Sequence, residues 1–144
     1  MFVEGKGMAR FINKNNNPKG KRTSDCTIRA FTELTNKSIE EIISELTAIY
    51  IKTGYFIDDP KCYDKWLKNN GYEKQKQVKK YDNTKYTGSE FCIYLNTLGT
   101  TDTIVAHIGG HHITTFIYTE NGYMIQDTWD CTYKCVGNWW KKVK

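Results

Sequence analysis

The chain has 144 residues, of which 39% are hydrophobic and 26% charged, and its net charge is +5. This composition excludes a chain that is disordered throughout, and the length suits one folded domain. No apolar run approaches the roughly 18 residues of a membrane span, and residues 1–11 lack the apolar stretch of a signal peptide, so a cytoplasmic protein without a membrane segment is expected.

The charge excess lies at the N-terminus. Residues 1–22 contain one acidic side chain, Glu4, and six basic ones: Lys6, Arg10, Lys14, Lys19, Lys21 and Arg22. The rest of the chain carries 15 charges of each sign, which argues against a domain that binds nucleic acid through its overall charge. Residues 1–22 are also polar and rich in Asn, so they are expected to form a flexible basic arm, in which residues 8–12 are the one candidate strand.

Four helices are predicted next, each from a capping residue followed by apolar side chains at helical spacing. They begin after Ser24, Ser38, Asp59 and Thr87 and end near residues 35, 54, 71 and 98. Ser38 and Thr87 are each followed three residues later by Glu, which is the pattern of a capping box. Between the last two helices, residues 73–85 are strongly polar and are compatible with either an edge strand or a long loop.

The pattern changes to β after Gly99. Strands are predicted over residues 103–108, 113–118, 123–127 and 134–140. The Asn-Gly pair at residues 121–122 is a strong signal for a two-residue hairpin turn. Residues 23–144 are therefore predicted to form a single α+β domain, with N-terminal helices packed on a C-terminal antiparallel sheet.

Cys26 is the first candidate for chemistry. It lies at the start of the first predicted helix, where unpartnered backbone N–H groups and the helix dipole favour a thiolate. Lys21, Arg22 and Arg29 also favour ionisation, whereas Asp25 opposes it. The five cysteines are an odd number, so reduced thiols are expected rather than a disulfide framework. The alternative role of Cys26 is that of a small buried hydrophobe.

His112 and Asp127 are predicted to be neighbours across a hairpin. They lie 15 residues apart at the two outer ends of the strands that the Asn-Gly turn joins. A carboxylate beside an imidazole holds one tautomer and makes the ring a better base. His111 faces the opposite side of the strand, and the alternative for His112 is a structural histidine with a capping aspartate.

The order of these residues resembles papain-like cysteine peptidases, above all small bacterial and phage-encoded members. In those proteins a cysteine begins the first helix, and a Gly-His strand and an Asp-bearing strand follow. The chain also resembles small phage proteins with a DC-x-x-RA helix start and a late DTWD, here residues 25–30 and 127–130. The resemblance covers about residues 23–140 and implies a papain-like fold.

The resemblance implies a hydrolase or acyl transferase that acts on a protein or peptide and has no cofactor. Cys26 would be the nucleophile, His112 the general base and Asp127 its orienting partner. The alternative is an inactive member of the same fold, a phage protein that binds and inhibits a host protein. For a phage-encoded protein either role places it in the host cytoplasm.

The sequence gives a weaker signal for the oxyanion donor than for the nucleophile and the base. Papain-like enzymes usually carry a glutamine several residues before the cysteine, but the glutamines here are Gln75, Gln77 and Gln126. The backbone N–H of Cys26, together with Thr23 or Ser24, is therefore the expected substitute. Trp129, which lies between two aspartates, is expected to support the site by packing.

The sequence contains residues for two other kinds of site. A zinc site would use a histidine at position 107, 111 or 112 with Cys131 and Cys135, but a Cys-x₃-Cys pair does not match a zinc knuckle, so no metal is expected. The lysines of residues 74–85 and 141–144 are expected to form a solvated face, and contact with nucleic acid is the weaker alternative.

Overall fold

The computed structural model describes residues 10–144 and has the predicted α+β class. The helices are α1 (Cys26–Phe31), α2 (Ile39–Thr53), α3 (Pro60–Asn69) and α4 (Gly88–Asn96). The strands are β1 (Phe11–Asn13), β2 (Tyr72–Gln75), β3 (Ile104–Ile108), β4 (His112–Thr119), β5 (Gly122–Asp127) and β6 (Val136–Lys142). Each helix within residues 10–144 is too short or too polar to cross a lipid bilayer.

The caps explain where the longer helices begin. Ser38 and Thr87 form the two predicted capping boxes, and Asp59 accepts a hydrogen bond from the backbone N–H of Lys61 at the start of α3. The first helix is shorter than the predicted residues 25–35: it ends at Phe31, with Thr32 as its C-cap, and its N-cap is Asp25 rather than Ser24. The Asp25 carboxylate makes no capping bond, since it binds the side chains of Asn17 and Arg29 instead.

The sheet has six strands in the order β1-β5-β4-β3-β6-β2. All neighbouring pairs are antiparallel except β1 with β5, which is parallel. β2 pairs with β6 and resolves the ambiguity of the polar segment after α3: only its first residues form an edge strand. The last strand begins at Val136, two residues later than predicted.

The predicted arm contributes to the domain from residue 10 onward. β1 pairs with residues 125–127 of β5, so part of the candidate strand at residues 8–12 is in the sheet, while Met8 and Ala9 lie outside the described residues. Asn16 donates from its side chain to Thr32 on the turn after α1, at 2.9 Å. The short polar side chains of this Asn-rich segment therefore bind it to α1.

Helices cover both faces of the sheet. The core cluster on one face joins α1, α2 and α3 to the sheet, and within it Phe31 stacks on Trp66 with ring centroids 4.3 Å apart. The cluster on the other face packs α4 against the central strands. β4 supplies Ile113 to the first cluster and Phe116 to the second. Because β4 is buried on both faces, its first residue, His112, occupies a defined position.

We expect Gly88→Ala to destabilise the protein. A methyl group at Gly88 would lie 2.6 Å from Cδ1 of Ile125 and 3.0 Å from the backbone Cα of Thr132. Alanine is the better helix former by about 1 kcal/mol, but overpacking of this kind costs roughly 1–3 kcal/mol, so a net loss is expected. Urea unfolding measures the change. Ser89→Ala, on the next residue, is the control and is expected to stay within about 0.5 kcal/mol.

Candidate active site

His112 and Asp127 form the centre of the site, as the hairpin pattern predicts. The register of β4 and β5 pairs Thr115 with Gln126, which puts Asp127 opposite Thr114 and His112 two residues further along the strand. The distance from His112 Nε2 to Asp127 Oδ2 is 2.6 Å. Nε2 therefore faces the carboxylate, and Nδ1 is the ring nitrogen left for another partner.

Four donors hold the Asp127 carboxylate in its charged form. Oδ2 accepts from His112 and from the Thr114 hydroxyl, and Oδ1 accepts from the Thr128 backbone N–H and from Nη1 of Arg29. Burial opposes the charge, but the hydrogen bonds from His112 and Thr114 outweigh it and lower the pKa of Asp127 to about 2. Asp127 is thus negatively charged and hydrogen-bonded to Nε2 of the His112 imidazole.

The second partner of the His112 ring is Cys26. Cys26 is the first residue of α1 and is half-buried, and α1 packs against β4. Burial opposes a thiolate, but hydrogen bonds from the His112 ring and from the backbone N–H of Ile113, with the charges of His112 and Arg29, lower the pKa of the Cys26 thiol. The sulfur therefore lies in surroundings that favour the nucleophilic form.

The pKa of His112 moves in the opposite direction. Burial disfavours the charged ring, but hydrogen bonds to Asp127 and Cys26 outweigh it and raise the pKa of His112 to about 9. A lowered thiol pKa beside a raised imidazole pKa is the condition for a thiolate–imidazolium pair at neutral pH. Cys26, His112 and Asp127 thus lie near one another, at the start of α1, the start of β4 and the end of β5.

Arg29 lies at the candidate site and makes a contact with Asp127 that the sequence does not predict. Its guanidinium binds Asp25 Oδ1 at 2.8 Å and Asp127 Oδ1 at 3.1 Å, so it links the start of α1 to the end of β5. The pair with Asp25 follows the i,i+4 spacing of a helix and was readable from the sequence. The longer-range pair required knowledge of how α1 packs on the sheet.

A second thiol, that of Cys131, also lies close to the Asp127 carboxylate. Its sulfur, one oxygen of Asp127 and one ring nitrogen of His112 all lie within 4.8 Å of one another. Burial and the charge of Asp127 raise the pKa of Cys131 to about 12, and its Sγ is 3.8 Å from the Thr114 hydroxyl. The site thus has two thiols, of which only Cys26 lies in surroundings that favour ionisation.

The cluster of His112, Asp127 and Cys131 has the residue types of a metal site, but the carboxylate oxygens that would bind the metal already accept hydrogen bonds. Both Asp127 oxygens already accept two hydrogen bonds each, and Arg29 lies against them. A divalent cation would have to displace these donors beside a guanidinium charge. The geometry therefore fits a hydrogen-bonded carboxylate better than a metal ligand.

The other residues that were candidates for the alternative zinc site, His107, His111 and Cys135, do not belong to this cluster. His107 hydrogen-bonds to Tyr63 through Nε2, and His111 and Cys135 are exposed. Each of these residues lies apart from the cluster of three residues within 4.8 Å that contains Cys131.

The three predicted supporting residues lie around the site in different ways. Thr23 and Ser24 are exposed just before α1, and the Thr23 carbonyl accepts a hydrogen bond from the Asp25 backbone N–H. Trp129 is half-buried, and its ring centroid lies 5.1 Å from that of His112. Trp129 therefore contacts the imidazole, whereas Thr23 and Ser24 lie next to the helix start that carries Cys26.

Comparisons with protein-family models, with curated proteins and with solved structures found no match to this chain. A functional interpretation therefore has to rest on the residues of the site. The most informative residues are Cys26, His112 and Asp127. His112 is hydrogen-bonded to Asp127, and the pKa of His112 is raised whereas those of Cys26 and Asp127 are lowered.

We expect the imidazole of His112 to titrate with a midpoint near pH 9, since the folded protein raises its pKa to about 9. Cys26→Ala removes a thiolate partner and should lower this midpoint, because less negative charge then stabilises the imidazolium. Proton NMR of the ring C–H signals measures both values. Cys135→Ala is the matched control and should leave the midpoint unchanged; an unchanged midpoint in Cys26→Ala would contradict the pairing.

Proposed function

We propose that the protein is a thiol-dependent hydrolase or acyl transferase of the papain-like type, acting on an amide or related bond of a protein or peptide. The observation that carries the proposal is the placement of Cys26 at the start of the helix that packs against β4, on the same small cavity as Asp127, to which His112 is hydrogen-bonded at 2.6 Å. The lowered pKa of the Cys26 thiol and the raised pKa of the His112 imidazole support it. The buried position of Cys131 and its raised pKa favour Cys26 as the nucleophile.

In the first half of the reaction the Cys26 thiolate attacks the carbonyl carbon of the substrate. A carbon–sulfur bond forms, and the carbonyl electron pair moves to the oxygen. The His112 imidazolium then gives its proton to the leaving amine, the carbon–nitrogen bond breaks, and a thioester remains on Cys26. Asp127 keeps the ring oriented through Nε2 throughout.

In the second half an acceptor attacks the thioester. His112, now neutral, removes a proton from water or from an amine acceptor, and the new bond to the acyl carbon releases the Cys26 sulfur. Cys26 is the first residue of α1, so its backbone N–H has no partner within the helix and is a candidate oxyanion donor. Thr23 and Ser24 remain the candidates for a second donor.

The position of the arm restricts how a substrate reaches Cys26. On the side of Lys14 and Asn16, the cavity next to Cys26 and Arg29 has a volume of only about 10 Å³, which is room for about one water. A substrate is therefore expected to approach from the opposite side.

Acylation by an activated ester tests the proposal. With p-nitrophenyl acetate we expect rapid acetylation of Cys26, located by peptide mass spectrometry, followed by hydrolysis of the thioester. His112→Ala should retain a slow acetylation but lose the hydrolysis step, because no base activates the water. Acetylation that is spread evenly over Cys26 and exposed Cys135, or a thioester that hydrolyses equally fast in His112→Ala, would contradict an enzyme.

A further inference from the structure

A groove lies beside the turn that leads into His112. Its volume is about 450 Å³, which is in the usual range of ligand-binding clefts. Gly109 and Gly110, in the β3–β4 turn, and Gly137, in β6, all line it. Gly109 and Gly110 have φ values of 63° and 98°, a conformation that favours glycine. A Cβ atom at Gly110 would meet nothing within 4 Å, so this part of the turn leaves room for an extended backbone to lie close to the sheet.

One end of the groove is linked to Cys26. His107 lines the groove and pairs in the sheet with Ile113, which lines the same small cavity as Cys26. The Tyr63 hydroxyl binds His107, and after burial the charge of Cys26 is the next cause that raises the pKa of Tyr63. Ile113 and Tyr63 therefore each connect the His107 end of the groove to Cys26.

The charges along the groove are positive. Lys85 lines it and forms no ion pair within residues 10–144, and the Lys134 side chain lies 3.4 Å from the Cβ position of Gly109. Among the described residues, no Asp or Glu lines this groove. After burial, the charges that lower the pKa of His107 come from Lys74 and His111.

Polar donors for a peptide backbone are also present. The side-chain carbonyl of Asn138 accepts the backbone N–H of Gln77 at 3.1 Å, which leaves the Asn138 amide N–H₂ as a donor. Asn138 and Gln77 both line the groove. The groove thus offers hydrogen-bond donors and the positive charge of Lys85 beside three glycines.

We propose that this groove binds an extended acidic segment of the protein substrate and directs the adjoining bond to Cys26, a role whose second half rests on the proposed function. An acidic peptide fits better than a nucleic acid, because the lining residues include no Phe, Tyr or Trp on which bases could stack. The carboxylates of the segment pair with Lys85 and its neighbours, and its backbone lies over the glycines.

The exposed thiol of Cys135 provides a direct assay, because Cys135 lines the groove. In full-length Cys26→Ala protein the other three cysteines are buried, so Cys135 is the accessible thiol and no chemistry occurs at position 26. We expect a peptide of alternating Gly and Glu to slow the reaction of Cys135 with neutral N-ethylmaleimide. Its Gly–Lys counterpart should give no protection, and added salt should weaken the protection.

A second substitution identifies the cation. Lys85→Gln, compared with its own peptide-free rate, should raise the peptide concentration for half-protection several-fold, whereas Lys141→Gln on β6, outside the groove, should not change it. Equal protection by both peptides, no protection by either, protection by oligothymidylate in place of the acidic peptide, or an unchanged Lys85→Gln would each overturn the proposal. Since position 26 is alanine throughout, these outcomes are independent of whether Cys26 is catalytic.

Discussion

Replacing Asp127 by asparagine is expected to lower the rate of thioester hydrolysis at Cys26 by about 10³–10⁴-fold. The amide keeps the shape of the carboxylate but removes its charge. Its N–H₂ group can donate a hydrogen bond to Nε2 of His112, which favours the wrong tautomer, the one with its proton on Nδ1. The pKa of His112, raised to about 9 in the parent protein, should fall, so the imidazolium is lost at lower pH. The measurement is the deacylation rate after p-nitrophenyl acetate, followed from acid to alkaline pH.

The DTWD segment contains its own control for this substitution. Asp130 lies three residues later, is exposed and binds Thr132, so Asp130→Asn removes the same charge without reaching the imidazole. It is expected to keep the parent rate within about twofold. If Asp127→Asn also kept that rate, Asp127 would have a structural role and no part in orienting the base.

Phe31→Ala is expected to cost about 3–5 kcal/mol of folding free energy. Phe31 is 0% exposed and ends α1, and it stacks on Trp66 at 4.3 Å and packs edge-on against Tyr63 at 6.0 Å. α1 has only six residues and no side-chain cap, so packing rather than helix propensity has to hold it. Urea unfolding measures the loss, and the alkylation rate of Cys26 should fall as the helix start loses its fixed position.

Phe56→Ala is the matched control for the Phe31 substitution. The Phe56 side chain is 55% exposed and contacts Tyr50, so its removal should cost less than about 1 kcal/mol. A similar loss of unfolding free energy in both variants would mean that the packing of Phe31 does not hold α1 in place.

Local signals in the sequence predicted much of this structure. The capping boxes at Ser38 and Thr87 are complete within a few residues and appear where predicted. The predicted hairpin between β4 and β5 also forms, but its two turn residues are Glu120 and Asn121, because Gly122 already pairs with Thr119. The hairpin brings His112 to Asp127 as predicted, but the two residues meet diagonally, because the register puts Asp127 opposite Thr114.

The remaining features depend on contacts between distant parts of the chain. The parallel pairing of β1 with β5, the salt bridge from Arg29 to Asp127 and the approach of Cys131 to the carboxylate have no local pattern. The N-cap residue Asp25 makes no capping bond, because Asn17, from the arm, and Arg29 bind its carboxylate. Propensity alone does not include such partners.

The most direct test of the central claim is the pH dependence of alkylation, resolved for each cysteine. Iodoacetamide at about pH 6, with peptide mass spectrometry, should label Cys26 at least about tenfold faster than the exposed Cys135 and the buried Cys131, because only the Cys26 thiolate is stabilised there. His112→Ala should abolish that preference. If Cys26 reacts no faster than Cys135, or if its preference survives in His112→Ala, the thiolate–imidazolium pair does not exist and the proposed hydrolase is wrong.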